Sequence, residues 1–256
     1  MLTDERKDKI IQLLRKNTIV KSQTLIQLLN ASESTIRRDL KEMEEDGLLK
    51  RVHGGAKLNQ NLSLEFSVTE KKMINIEQKQ AIAKLAVAQI EENDVVYLDA
   101  GTTTSEMIPL MMNKTIRVVT NAPRHAATLA EMGIPTMILG GDIKLSTNAV
   151  LGTAAIQQLR QLRLNKAFIG INAIDANFGF TTPDVEEAMV KRTAIECSEE
   201  VFMVADHTKF NKATFCKVAS IESATILTDK LPRDLKEEFK NTLIKEIPTH
   251  DLHTHP

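Results

Sequence analysis

Four side chains on one face of a helix near the start of the chain pose the first chemical question. On a helix from Glu33 to Asp46, Ser34, Arg37, Arg38 and Lys41 project together, opposite an apolar stripe of Ile36, Leu40 and Met43 at i, i+4 and i+7. Guanidinium, ammonium and hydroxyl groups donate hydrogen bonds to phosphate oxygens and base edges, so this face has the chemistry of nucleic-acid recognition. Ser32 is placed to cap the helix start, and Gly47 suits the left-handed position past its end. By itself such a face fits a solvated amphipathic helix equally well.

The elements around it decide between the two. Asp4–Lys16 reads as a helix with Ile10, Leu13 and Leu14 on one side, and 22–30 as a second with Leu25, Leu28 and Leu29 inward. Asn30-Ala31 is a very short connector. Three short helices with a tight link before the third make a helix-turn-helix, whose second helix enters the major groove. Residues 48–53 then have strand character and end at Gly54-Gly55, which fits a wing carrying Lys50, Arg51 and His53. The candidate DNA contacts are thus Ser34, Thr35, Arg37, Arg38, Lys41, Lys50, Arg51 and His53.

A second group of residues follows strand-like runs further on. The apolar runs 95–98, 116–120, 136–139, 167–171, 201–205 and 225–228 alternate with helical stretches 77–91, 104–112, 124–132, 153–160 and 185–197, and a last helix is expected over 233–245. Short, wholly apolar strands between helices imply a parallel sheet buried on both faces, with any ligand at the carboxyl ends of the strands. The richest such end is Asp99-Ala-Gly101-Thr102-Thr103-Thr104, where a glycine, three hydroxyls and a helix start offer donors to an anion. An ordinary capping turn is the alternative. Thr120-Asn121, Gly140-Gly141 and the Gly170–Ala173 stretch containing Asn172 close three further strands, each weak alone. Asp206-His-Thr-Lys209 follows the fifth. Lys191, one turn after Glu187, reads from spacing alone as an exposed i, i+4 pair.

The chain has 256 residues, net charge −1 and 42% hydrophobic residues, enough for a small domain and a larger one. The expected division is 1–57 for the winged helix-turn-helix, 58–75 for a linker, 76–246 for an α/β ligand domain and 247–256 for a disordered tail. Residues 1–56 hold eleven lysines and arginines against nine aspartates and glutamates, a surplus of two. The basic character is therefore positional, and a homodimer or homotetramer is expected to supply enough contacts for tight binding. Cys197 and Cys216 have no metal spacing, and no run is long and apolar enough for a membrane helix, so a cytoplasmic protein without metal or cofactor is expected. Aromatic residues make up only 4%, which disfavours RNA binding by stacking.

Residues 35–40, Thr-Ile-Arg-Arg-Asp-Leu, followed by Lys50-Arg-Val-His-Gly-Gly-Ala56, resemble the DeoR/GlpR-type bacterial repressors of sugar metabolism. The strand-end motifs, together with 179–184, Glu187 and Lys191, resemble the effector domain of the same family. That resemblance implies a ribose-5-phosphate-isomerase-like α/β domain that binds a sugar phosphate. It assigns the phosphate to Gly101–Thr104, a positive charge to Lys191, and sugar hydroxyls to Asp99, Asn121 and Asp206. Within the family, the combination is most similar to repressors of fructose operons, whose inducer is fructose 1-phosphate. Where the isomerases carry Asp-Gly-Ala-Asp-Glu, this chain has Gly170-Ile-Asn-Ala-Ile-Asp175, so the acids for proton transfer are incomplete. Operator DNA and a sugar phosphate are the expected partners, and no catalytic residue is assigned. The competing reading is a sugar-phosphate isomerase with an N-terminal interaction module.

Overall fold

The computed structural model describes residues 3–17, 19–45, 48–58 and 67–248. The chain divides into two compact units between Asn61 and Leu62. The first contains α1 (Thr3–Lys16), β1 (Val20–Lys21), α2 (Ser22–Leu29), α3 (Glu33–Glu45), β2 (Leu49–Val52) and β3 (Gly55–Leu58). Its core gathers Ile10, Leu14, Leu25, Leu29, Ile36, Leu40 and Met43 with Val20, Leu49 and Ala56 from the strands. Asn30 turns the chain between α2 and α3 in the left-handed conformation (φ 46°). Ser32 Oγ then accepts from the Thr35 amide at 3.2 Å, capping α3 as its sequence position suggests. Leu28 departs from expectation: it is 61% exposed, because Leu25 and Leu29 already fill the inward positions of so short a helix. The proposed Gly47 stop lies outside the described residues.

β2 and β3 form an antiparallel hairpin, and β1 pairs with the far side of β3. Gly55 is required by this pairing, since a Cβ there would lie 2.2 Å from the Val20 carbonyl oxygen.

The second unit begins with α4 (Val68–Lys72), inside the stretch read from sequence as linker, and α5 (Ile76–Val87). There follow β4 (Val95–Leu98), α6 (Thr102–Ser105), β5 (Arg117–Thr120), α7 (Pro123–Glu131), β6 (Thr136–Ile138), β7 (Asp142–Lys144), β8 (Ala149–Leu151) and α8 (Thr153–Leu159). The chain continues through β9 (Leu164–Gly170), β10 (Ala173–Asp175), β11 (Gly179–Thr182), α9 (Val185–Glu196), β12 (Ser198–Val204), β13 (Cys216–Ala219), β14 (Thr225–Thr228) and β15 (Ile244–Glu246).

Seven of these strands form one parallel sheet in the order β15-β14-β12-β9-β4-β5-β6. Strand alternation divides its side chains between two cores. Val96, Leu98, Val118, Phe168, Phe202 and Leu227 pack with α5, α7 and the turn at 107–111. Tyr97, Val119, Ala167, Ile169, Met203 and Ile226 pack on the other face with α8, α9 and the small sheet β10-β11-β13. Both faces are covered, which is why the strands read as unbroken apolar runs.

Two expected helices are corrected. The stretch 104–112 is a short α6 and then a separate 3₁₀ turn, Ile108–Met111, because Pro109 cannot donate into a continuous helix. Instead of a helix over 233–245, a 3₁₀ turn at Arg233–Leu235 leads to strand β15. Leu235 and Phe239 are buried at helical spacing, with Phe239 edge-on to Phe210, but residues beyond them are drawn to the exposed edge of β14. That open row of donors and acceptors outweighs local helix preference.

Candidate functional site

On α3, Ser34, Arg37, Arg38 and Lys41 are all exposed, while Thr35 is half-buried with its hydroxyl 2.7 Å from that of Ser32. The face is less uniformly basic than its arginines suggest. Lys41 pairs with Glu45 at 3.6 Å and Arg38 reaches Glu42 at 4.0 Å, both exposed and worth little. Arg51 turns back onto α3, where Glu44 takes its guanidinium at 3.0 Å and its amide at 2.8 Å. Among the described residues, Arg37 and Lys50 make no ion pair. His53 stands exposed at the tip of the hairpin, where Gly54 takes φ 76°.

Sequence reading missed what holds α3. Asp39 is fully buried and grips Arg6 of α1 through two bonds, Nε–Oδ2 at 2.5 Å and Nη2–Oδ1 at 3.1 Å. A bidentate guanidinium–carboxylate pair fixes orientation as well as distance. It sets the roll of α3 and so the direction of its exposed arginines.

In the second unit, Asp99 at the end of β4 is 1% exposed and pairs with the buried ammonium of Lys191 on α9. It also accepts from the Gly170 amide at 3.1 Å, so it joins the ends of β4 and β9. Burial pushes its carboxyl pKa up, while Lys191 works in the opposite direction. Lys191 is therefore not the exposed helix charge that its spacing suggests. Glu187, one turn before it, accepts from Thr147 at 2.7 Å; despite burial, Lys191 and Lys144 hold it below the usual carboxylate range. Asp184 caps α9 by accepting from the Glu187 amide at 2.8 Å, and Lys144 binds Asp184 at 2.9 Å. Asn121 Oδ1 accepts from the Ala100 amide at 2.9 Å and its Nδ2 reaches the Val150 carbonyl oxygen at 3.3 Å. Asp99, Ala100, Asn121, Glu187 and Lys191 line a small inner pocket that their own side chains leave with no free room for a water-sized occupant.

Ala100 also borders an outer cleft of about 60 Å³, lined by Gly101, Thr102, Ser105, His125, Lys72 and Asn148. Gly101 has extended backbone, so closeness and not dihedral freedom calls for glycine: a Cβ would lie 3.1 Å from Thr104 Oγ1.

Several residues read as contacts spend their polar groups inside the fold. Thr104 donates to the Asp99 carbonyl oxygen at 2.7 Å, and Thr120 donates to that of Leu98 at 2.6 Å; both are fully buried. Thr103 is buried beside them. Gly140 and Gly141 turn the chain from β6 into β7, away from both cavities' linings; Gly141 has φ 149°, and a Cβ there would meet the Leu151 carbonyl oxygen at 2.2 Å. Asn172 accepts from the Thr182 hydroxyl at 3.0 Å. Asp206 accepts from the Thr208 amide at 2.9 Å, and Lys209 and Thr208 hold it below its ordinary pKa despite burial. His207 pairs with Asp229 at 2.7 Å.

Lys79 was not singled out from the sequence. It is buried on α5 and donates to the Lys71 carbonyl oxygen. Burial first, then repulsion from Lys209, lowers its pKa to about 8, with Asp206 and Glu106 opposing. Lys79 and Lys209 thus bring two mutually repelling positive charges near one another, outside the linings of both pockets. The signal available was a lysine in line with Ile82, Ala83 and Ala86 on the otherwise apolar inward face of α5.

A winged helix-turn-helix followed by a parallel α/β domain with polar strand ends defines a ligand-sensing DNA-binding protein. Residues 6–61 match the DeoR-like helix-turn-helix domain and residues 74–230 the DeoR C terminal sensor domain. The chain is 45% identical over 89% of its length to an uncharacterized regulator, FruR, of Bacillus subtilis, covering 91% of that protein. It is 36% identical to the regulator GlpR of Haloferax volcanii (94% of this chain, 96% of that one) and 32% identical to a lactose phosphotransferase system repressor of Staphylococcus epidermidis (93% and 96%). Among solved structures, ribose 5-phosphate isomerase A from Neisseria gonorrhoeae matches 52% of each chain at 18% identity and a TM-score of 0.39. The chain belongs to the DeoR family: it is a transcription repressor of the sugar-metabolism type and not an enzyme.

Proposed function

We propose that the chain represses a sugar operon of the fructose type and is released from its operator by a sugar phosphate such as fructose 1-phosphate. The observation that carries this reading is the buried Asp99–Lys191 pair beside the Gly101–Thr103 loop, with Lys79 and Lys209 as further cations. In this reading the phosphate lies against the Gly101–Thr103 backbone and is neutralised by Lys79 and Lys209. Asp99, Lys191 and the remaining amide capacity of Asn121 meet sugar hydroxyls. The similarity to FruR favours fructose among the ketose phosphates. Arg37, Lys50 and His53 read the operator with Ser34 and Arg38, and the protein acts in the cytoplasm as a homodimer or homotetramer.

Release requires that the effector bind the operator-incompetent state more tightly than the competent one. A hundredfold loss of operator affinity needs about 2.7 kcal/mol of such difference. A thermal-shift screen of phosphorylated sugars, followed by operator binding with and without the best of them, tests the proposal. Fructose 1-phosphate should raise the melting temperature and lower operator affinity. Stabilisation by no sugar phosphate, or by one that leaves operator affinity unchanged, would sink it.

A further inference from the structure

The wing is fastened to the recognition helix by a side chain to which the operator reading gives no role. Glu44 lies in the last turn of α3, next to the buried Met43. Its two carboxylate oxygens reach β2 separately: Oε1 accepts from the Arg51 amide at 2.8 Å, and Oε2 meets the Arg51 guanidinium Nε at 3.0 Å. β2 is an edge strand of its sheet, in the order β1-β3-β2, so its outward amides have no neighbouring strand to bond. Glu44 takes one of them, and so acts on the backbone of the wing as well as on a side chain.

Alternation along the strand sets what this does to its neighbours. Leu49 and Arg51 point to one face of the hairpin and Lys50 to the other. Leu49 is 1% exposed and shares a core with Met43 of α3, which turns the Leu49–Arg51 face towards the helix. Lys50 stands exposed on the opposite face, and His53 follows at the exposed tip. Leu49 anchors the foot of the strand to the core, and Glu44 holds it two residues nearer the tip. Two bonds from one carboxylate to one residue fix a direction as well as a distance. The Arg51 and Glu44 side chains are 41% and 37% exposed, so the ion pair adds little stability. Its effect is on where the wing stands.

We propose that Glu44 is a positioning residue for operator reading: it clasps the wing to the recognition helix and so aims Lys50 and His53 at the DNA that α3 reads. Arg51, whose charge alone suggests a DNA contact, serves the clasp. The proposal rests on the assignment of Lys50 and His53 to the operator and goes beyond it by naming what sets the wing against the helix. Adjacent cations on one strand thus have different tasks, because alternation sends them to opposite faces.

The full chain and its Glu44→Gln, Glu44→Ala, Lys50→Ala and Glu44→Ala/Lys50→Ala variants are titrated at fixed salt with a duplex that the wild-type chain selects from a random-sequence library. Both Glu44 variants shed a charge that repels phosphate, and only glutamine keeps an oxygen for the Arg51 amide, so comparing them isolates the clasp. Glu44→Ala should bind about tenfold more weakly than Glu44→Gln. Lys50→Ala should cost about tenfold in the wild-type chain and less than about twofold in Glu44→Ala. The DNA-binding unit should melt at the same temperature in both Glu44 variants. The Arg51 amide should exchange its hydrogen slowly in wild type and Glu44→Gln, and fast in Glu44→Ala. Equal binding by the two Glu44 variants overturns the proposal, and leaves the reading of Lys50 standing if Lys50→Ala still weakens the wild-type chain. Tighter binding by Glu44→Ala also overturns it, the carboxylate then withholding Arg51 from DNA. If Lys50→Ala binds as wild type while Glu44→Ala stays weaker than Glu44→Gln, the reading of Lys50 falls and the clasp stands, aiming His53. Should Glu44→Ala destabilise the unit, exchange in the wild-type chain decides, and an unprotected Arg51 amide overturns the proposal.

Discussion

Arg37 and Lys191 carry the same formal charge and meet opposite environments, and their substitutions should behave accordingly. Arg37 is exposed and unpaired among the described residues, so its loss costs the fold little. Arg37→Ala should weaken operator binding by about 1–3 kcal/mol if it reads a base edge, with the response to sugar phosphate intact; a gel shift and a parallel effector titration check both halves. Lys79 gives a pH signature. An anion beside it stabilises its protonated form, so the bound pKa lies above the value of about 8 in the unliganded protein. Sugar-phosphate affinity should therefore fall as pH rises through that region, with proton uptake on binding, and Lys79→Met should remove the dependence. His125 gives a second signature, in stability. Its pKa falls from 6.5 to about 4 on folding. The unfolded chain then binds more protons between those values, so stability is present above pH 6.5 and lost as pH falls toward 4. The loss is about 3 kcal/mol at most, measurable by urea unfolding against pH, and His125→Asn should flatten that part of the curve.

Between elements, buried ion pairs do the joining. Arg6 fixes α1 to α3 through Asp39, and Lys191 fixes α9 to the end of β4 through Asp99. Removing one partner of a buried pair strands the other charge, at a cost of about 3–5 kcal/mol, whereas an apolar double replacement can be nearly neutral. Asp39→Ala should thus lower the melting of the DNA-binding unit and abolish operator binding while leaving sugar-phosphate affinity unchanged. Scanning calorimetry alongside effector titration would show it; a shift confined to the larger unit would contradict this role. Lys191→Met alone should both destabilise the sensor unit and blunt induction. Asp99→Asn with Lys191→Met should recover stability without recovering induction, which separates the fold's use of the pair from the ligand's. Lys166 shows that a buried lysine need not mark a site: it lies at the other end of the sheet, held by Asp94 at 3.0 Å and Glu91 at 3.3 Å.

For the whole molecule, charge sets what two units can do together. A net charge of −1 and a surplus of two in the first 56 residues give weak long-range attraction to DNA. The proposed homodimer would supply two readers on two half-sites. The salt dependence of operator affinity should accordingly be steep for the full chain, and shallower by about two phosphate equivalents for a variant lacking one phosphate contact per protomer in a dimer. A slope unchanged by Lys50→Ala would remove Lys50 from the phosphate contacts.

The sequence by itself determined the parts whose information is local. The i, i+4, i+7 stripe of Ile36, Leu40 and Met43, the Ser32 cap and the runs at 95–98 and 225–228 each express a backbone period that no distant contact overrides. The strand ends bearing Asp99 and Asn121 followed from those runs. What only tertiary structure decided are the pairings across sequence distance: Asp39 with Arg6, Lys191 with Asp99, Lys79 near Lys209, and the exchange of an expected C-terminal helix for β15. A lysine at i+4 from a glutamate looks solvated until a sheet end is built over it. A threonine at a strand end looks like a ligand donor until, as for Thr104 and Thr120, a backbone carbonyl oxygen accepts its hydroxyl's hydrogen bond. Polar partners are chosen by proximity in the fold and by the penalty for leaving buried groups unpaired, and neither is written in local spacing.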